Sequence, residues 1–228
     1  MNHLSQSLGL SPTSNLTFHD IYSLTDLDLL SLIPRPAHAL LVIIPLTPAW
    51  KADRDLESAS QTEYTGSGPS EPVLWFKQTI GNACGSIGLL HSLLNGQAAN
   101  HIVPGSALDQ IRQAAVPLTM EDRAKVLEDS DAFEAAHKES SRLGDTPAVD
   151  KEHSGQHFVA FVKGKDGHLY ELEGGRKGPI DRGVLGEDED VLSAKAVELG
   201  IGRVIKLENE NGGDLRFSAI ALAEDWKD

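Results

Sequence analysis

The most constraining feature of the sequence is an apolar run at residues 39–46, ALLVIIPL. A short run that is apolar at nearly every position is typical of a β-strand buried on both faces. The run is far shorter than the roughly 20 residues that a membrane-spanning helix needs. We therefore expect a buried strand here and no membrane-spanning segment.

The rest of the chain shows helical periodicity in its middle and strand patterns in its last third. We predict helices at about 23–33, 84–94, 106–115, 119–128, 131–140, 188–199 and 201–209. We predict further strands at 73–77, 157–162, 168–172 and 215–223, and surface loops at 51–72 and 141–156. This distribution favours the α+β class in one domain covering residues 1–228.

Composition narrows the function classes. The chain has 228 residues with a net charge of −14, so it has no basic surplus with which to bind nucleic acid. Its single Cys cannot form an intrachain disulfide, which predicts a reducing compartment, the cytoplasm or the nucleus. The first residues lack the basic and apolar pattern of a signal peptide.

The single cysteine lies where a buried helix is predicted to begin, in the segment Gln78-Thr-Ile-Gly-Asn-Ala-Cys84-Gly-Ser. With Asn82 as the N-cap, Cys84 falls in the first turn, where unpaired N–H groups and the helix dipole favour the thiolate. Gln78 carries an amide that could stabilise an oxyanion beside the sulfur. A buried structural cysteine and a surface glutamine remain the alternative interpretations.

A nucleophilic cysteine needs a base, and His157 is the best candidate among the nine histidines. It opens the apolar strand QHFVAFV directly after the long predicted loop, whereas His168 begins the other arm of the hairpin. Glu173 ends that arm near the level of His157, where it could accept a hydrogen bond from Nδ1. A solvated acid at the end of the strand is the competing interpretation of Glu173.

Several segments together resemble one enzyme family. They are QTIGNACGSIGLLHSL at 78–93, FVAFVKGKDGHLYELEGGRKGPI at 158–180, FHDIY at 18–22, IPRP at 33–36 and LRFSAIALA at 215–223. With these motifs the chain resembles the ubiquitin carboxyl-terminal hydrolases over nearly its whole length. The resemblance implies a papain-like α+β fold, with a central antiparallel sheet flanked by helices and a knotted backbone.

The resemblance also implies a reaction and site residues. Cys84 looks like the nucleophile, His157 the general base and Gln78 the oxyanion donor, with Glu173 completing the catalytic set. Asp20 looks like a contact to the basic tail of ubiquitin, and residues about 138–155 look like the loop that crosses over the site. The implied activity is thiol-dependent removal of small adducts or short extensions from the C-terminal glycine of ubiquitin, by a monomer without metal or cofactor. Ubiquitin-like proteins remain open as substrates.

Two departures from the family pattern stand out. Members usually have Asp where this chain has Glu173, in a hairpin one residue shorter. They also begin with a strand that this chain is expected to lack. Two other functions therefore stay open, a papain-like cysteine peptidase of other specificity and a catalytically impaired ubiquitin-binding protein.

Overall fold

The computed structural model describes residues 1–143 and 155–226. The helices are α1 (Asn2–Leu8), α2 (Leu27–Ser31), α3 (Pro48–Ala59), α4 (Cys84–Leu93), α5 (Ala107–Ala115), α6 (Met120–Glu128), α7 (Asp131–Leu143), α8 (Ala194–Leu199) and α9 (Ile201–Glu210). The strands are β1 (Leu16–Ile21), β2 (Ala39–Pro45), β3 (Gln156–Lys163), β4 (His168–Leu172), β5 (Ile180–Val184) and β6 (Ser218–Glu224).

Within the described residues, the strands form one six-stranded sheet in the order β1-β6-β2-β3-β4-β5. Every neighbouring pair is antiparallel. The sheet is flanked by helices, so the predicted α+β class with a central antiparallel sheet is confirmed. The predicted knot stays a prediction, since part of the path lies outside the described residues.

The apolar strand β2 is buried on both faces, as its sequence predicts. Leu41 packs into a core with α4, while Leu40, Val42 and Ile44 pack into a second core on the opposite face of the sheet. The second core includes side chains of α8 and α9. Because successive side chains of a strand point to opposite faces, a wholly apolar strand can join two cores in this way.

The fold corrects the predicted loop at 51–72. Helix α3 covers Pro48–Ala59, because the Thr47 side chain accepts a hydrogen bond from Trp50 N–H and Pro48 occupies the first turn. Both are helix-start signals, but the many charges that follow suggest a solvated loop. The interpretation as a loop is therefore wrong for residues 51–59, whereas residues 60–72 form neither helix nor strand.

The predicted strand at 73–77 is also wrong. Residues 73–76 are buried, but side chains bond to this backbone in place of a neighbouring strand. Asn95 bonds both N–H and C=O of Leu74, and His91 Nε2 accepts from Phe76 N–H. The sequence pattern does not distinguish a strand paired with other strands from this arrangement, since both bury a short apolar segment.

Other differences lie at the ends of elements. The predicted helix 23–33 is only Leu27–Ser31, and it is capped by Asp26. Strands β1 and β5 were not predicted from the sequence. The helix predicted at 131–140 continues to Leu143, so the predicted crossover loop at 138–155 begins in a helix. Residues 144–154 of that loop lie outside the described residues.

Candidate active site

Cys84 occupies the first position of α4, as the sequence predicts, although the cap differs. The N-cap residue is Ala83, not Asn82, and Asn82 has a positive φ of 59° just before it. The thiol is partly buried, and the backbone N–H groups of Gly85 and Phe158 donate to the sulfur. One N–H at the start of the helix and one on β3 therefore favour the thiolate.

His157 reaches the thiol from β3, the strand that packs on α4. His157 pairs with Ile44 of β2 in the sheet, so the register between β2 and β3 fixes its position. Its imidazole is hydrogen-bonded to Cys84. The structure thus brings together two residues that are 73 positions apart, from Cys84 to His157.

Glu173 holds the other side of the imidazole. Its Oε1 lies 2.6 Å from His157 Nε2 and accepts a second hydrogen bond, of 2.7 Å, from Gly175 N–H. The side chain is 0% exposed, so the interpretation as a solvated acid is wrong. The expected contact through Nδ1 is also wrong, because Nε2 faces Glu173 and Nδ1 is left for the sulfur.

The three groups shift one another's proton affinity. Burial acts to raise the pKa of Cys84, but the hydrogen bond and charge of His157, with two backbone N–H groups, bring it below its ordinary value. Burial acts to lower the pKa of His157, but its bonds to Cys84 and Glu173 raise it to about 9. The pKa of Glu173 is lowered despite its burial, chiefly through its hydrogen bond to His157. All three directions favour a thiolate beside an imidazolium.

Gln78 lies on the segment that leads into α4. Its backbone N–H donates to the carbonyl of Gly174 over 2.8 Å, and its side-chain Nε2 donates to the carbonyl of Ile80 over 3.3 Å. Trp75, three residues earlier, donates from Nε1 to the carbonyl of Glu173. The segment carrying Gln78 is thus fixed to the turn that carries Glu173. Its oxyanion role stays a prediction.

Asp20 lies on β1, an edge strand of the sheet, opposite Ile220 of β6. Its side chain is exposed. Strands β6 and β2 separate it from β3, which carries His157. The structure does not bring Asp20 to the triad, and its predicted contact with a basic peptide stays a prediction.

The rival histidines are occupied elsewhere. His168 Nδ1 pairs with Asp181 at 2.9 Å. His91 is wholly buried on α4, and burial lowers its pKa to about 4. The described residues contain no group of three or more His, Cys, Asp or Glu side chains that could hold a metal ion. In the same residues, no helix is both long and apolar enough to span a membrane.

Trp50, a buried residue of α3, was not predicted from the sequence. Its ring centroid lies 6.1 Å from that of His157, and the guanidinium of Arg54 lies 5.4 Å from the Trp50 centroid. Trp50 thus forms a wall beside the imidazole. The helix-start signals Thr47 and Pro48 could have placed this side chain on a helix, but not beside His157.

Comparison with known proteins gives one consistent family. Residues 1–206 match the family model described as ubiquitin carboxyl-terminal hydrolase, family 1. Ubiquitin carboxyl-terminal hydrolase 3 of Arabidopsis thaliana is 34% identical over 98% of this chain and 90% of its own length. Ubiquitin carboxyl-terminal hydrolase isozyme L1 of Homo sapiens is 34% identical over 98% of this chain and 94% of its own length.

The fold has solved counterparts. The crystal structure of the Trichinella spiralis UCH37 catalytic domain, bound to ubiquitin vinyl methyl ester, superposes with a TM-score of 0.70 and 22% identity. That match covers 99% of this chain and 91% of the other. At this identity, the likeness concerns the fold alone.

Proposed function

The chain belongs to the ubiquitin carboxyl-terminal hydrolase family of cysteine peptidases, and on that premise we propose that it is a thiol-dependent deubiquitinating hydrolase. Its substrates are small adducts or short extensions on the C-terminal glycine of ubiquitin. One observation carries the proposal: the thiol of Cys84, the imidazole of His157 and the carboxylate of Glu173 are hydrogen-bonded in series.

The acylation step follows from this arrangement. The Cys84 thiolate attacks the carbonyl carbon of the terminal glycine, and the C=O electron pair moves to the oxygen. His157, protonated in the ion pair, gives its proton to the departing amine or thiol as the bond to the glycine carbon breaks. The products are a thioester at Cys84, the released group and a neutral His157.

Deacylation returns the enzyme to its starting state. Neutral His157 takes a proton from water, and the resulting hydroxide adds to the thioester carbonyl. The C–S bond then breaks, which releases a carboxylic acid and restores the thiolate beside an imidazolium. Glu173 keeps the imidazole oriented through both steps, because its Oε1 accepts from Nε2 and leaves Nδ1 for the proton transfers.

The oxyanion of both tetrahedral intermediates needs donors. The N–H of Cys84 lies at the first position of α4, where backbone donors have no intrahelical acceptor. The amide of Gln78 has two N–H bonds and uses one on the Ile80 carbonyl. We propose that its second N–H joins the Cys84 N–H at the oxyanion.

Charge supports a basic partner. The chain carries a net charge of −14 and would attract a basic peptide tail, with Asp20 as one contact and with association weakening as salt rises. We also propose a reducing compartment, the cytoplasm or the nucleus, because the reaction needs Cys84 as a free thiolate.

The test is turnover of ubiquitin carrying a fluorogenic amide at its C-terminal glycine. Wild type is expected to release the fluorophore, and Cys84→Ser to release none. A matched short peptide amide with the same last residues separates the rivals. Cleavage of the peptide but not the ubiquitin substrate would indicate another cysteine peptidase. Binding of ubiquitin without turnover would indicate a binding protein.

A further inference from the structure

The turn after β4 leaves two buried polar atoms facing each other. Glu173 uses Oε1 on His157 and Gly175, while its Oε2 has no hydrogen-bond partner among the described residues. Arg176 is 2% exposed, and its Nε likewise has no such partner there. These two atoms lie 3.8 Å apart. Buried polar atoms that are unpaired are costly, so a facing pair of opposite charge needs a reason.

A ring of charges fixes the Arg176 guanidinium. Its two terminal nitrogens contact Glu57 of α3 at 2.9 Å and Glu171 of β4 at 3.1 Å. Arg182 of β5 contacts the same two carboxylates, at 2.5 Å and 2.6 Å. Two arginines and two glutamates thus close a neutral ring. Because both terminal nitrogens of Arg176 are engaged in the ring, its Nε–H edge is held toward Glu173.

We propose that Arg176 is a positioning residue for the hydrolysis, which holds the Glu173 carboxylate so that Oε1 stays directed at His157. The ring aims the guanidinium, the guanidinium fixes the carboxylate through charge, and the carboxylate orients the imidazole that serves Cys84. This inference rests on the proposed function, since it assigns a role in the same reaction.

The other charged groups that face Glu173 set the direction of the effect. They are His157 on β3, Arg54 on α3 and His91 on α4. His91 is neutral above about pH 4, so it adds no charge in an ordinary assay. Removing the positive charge of Arg176 makes the environment of Glu173 more negative. Cys84 and His157 then hold their protons more tightly, so both limbs of the pH profile of kcat/KM move to higher pH.

The experiment compares three variants with wild type. Arg176→Gln removes the charge and the guanidinium edge. Arg176→Lys keeps the charge but loses the planar guanidinium with its several N–H donors. Arg182→Gln is the matched control, because Arg182 shares both ring partners yet forms no ion pair with Glu173 among the described residues. The readouts are thermal unfolding, kcat/KM on the fluorogenic ubiquitin amide against pH, and the pH dependence of iodoacetamide alkylation of Cys84, the chain's only cysteine.

The expected results separate positioning from mere stability. Both glutamine variants unfold at lower temperature. Arg176→Gln loses about tenfold in kcat/KM, several-fold more than Arg182→Gln, which leaves Arg176 paired with Glu57 and Glu171. The basic limb of Arg176→Gln, which reports His157, moves up by about half a pH unit. Arg176→Lys keeps the limbs near those of wild type and loses only several-fold in kcat/KM. If Arg176→Gln does not fold, Arg176→Lys takes its place in every comparison of kcat/KM.

Two outcomes overturn the proposal. One is an equal loss of kcat/KM in Arg176→Gln and Arg182→Gln with unmoved limbs, which indicates a structural role alone. The other outcome comes from the double variant. In a protein that already carries Glu173→Gln, adding Arg176→Gln should lower kcat/KM less than twofold. A full tenfold loss there shows that Arg176 does not act through Glu173.

Failure of the proposed function is recognised separately. If wild type does not hydrolyse the ubiquitin amide, the alkylation profile of Cys84 still reports on Arg176. An upward shift of its acid limb in Arg176→Gln, larger than in Arg182→Gln, supports the positioning role. Equal profiles contradict it.

Discussion

The imidazole of His157 directs Nε2 at Glu173, 2.6 Å from Oε1, and the same oxygen accepts the Gly175 N–H. This places a glutamate where members of the family usually have an aspartate. The longer side chain folds over Gly175, where a Cβ would stand 2.8 Å from Oε1. A residue without a side chain at position 175 therefore makes room for the glutamate.

Glu173→Gln tests the orienting role of the carboxylate. The amide can still fill the site, but it removes the negative charge that stabilises the imidazolium. We expect kcat/KM on the ubiquitin amide to fall about 100-fold, less than the roughly 10,000-fold cost in serine triads, because an already ionised thiolate needs no base to form it. Steady-state kinetics measure this, and unchanged kcat/KM would remove Glu173 from the mechanism.

Glu173→Asp tests whether the length of the side chain matters. One C–C bond less withdraws the carboxylate by about 1.5 Å, which takes it beyond hydrogen-bond distance of Nε2 unless the turn moves. We expect about a tenfold loss of kcat/KM, although aspartate is the family's usual residue. Activity equal to or above that of wild type would show that the turn adapts freely and that Gly175 is not a spacing device.

Gln78→Ala tests the oxyanion donor. Loss of one such donor typically lowers kcat by about 100- to 1,000-fold. Alkylation of Cys84 by iodoacetamide forms no oxyanion, so its rate should stay near that of wild type. Equal losses in hydrolysis and alkylation would instead show that the substitution disturbs the thiolate.

His91 predicts a loss of stability in acid. Burial lowers its pKa to about 4, against 6.5 for the ordinary group, so between these values the unfolded chain binds the proton and the folded chain does not. The free energy of unfolding should therefore fall with falling pH across this window, by about 3 kcal/mol from this group. Urea unfolding at several pH values measures the slope.

His91→Gln is the matched variant for that slope. Glutamine keeps an acceptor for the Phe76 N–H but does not titrate. Its free energy of unfolding should depend less steeply on pH between 4 and 6.5. Parallel curves for the two proteins would contradict the assignment.

Local signals in the sequence predicted much of the fold and the centre of the site. Helix α4 has an apolar helical pattern, the hairpin of β3 and β4 has a turn signal, and the doubly buried β2 is an apolar run. Cys84 was predicted because it is the single cysteine and opens a buried helix, and His157 because it is a polar residue that opens an apolar strand. Such signals depend on neighbours in the chain, which the sequence shows directly.

What escaped the sequence depends on distant partners. The segment at 73–77 has strand-forming residues, but its backbone bonds to the side chains of Asn95 and His91. The charges of α3 suggest solvent, yet Glu57 closes a ring with Arg176 and Arg182, more than 100 residues away. Which nitrogen of His157 faces Glu173 also depends on the folded structure, in which Nε2 lies 2.6 Å from Oε1.

The most direct test of the account is covalent labelling with ubiquitin vinyl methyl ester, followed by intact mass and peptide mapping. Wild type should gain one ubiquitin at Cys84, far faster than a free thiol at the same pH, while Cys84→Ser should gain none. An unlabelled wild type, or labelling no faster than that of a free thiol, would contradict an ionised Cys84 served by His157 at a ubiquitin site.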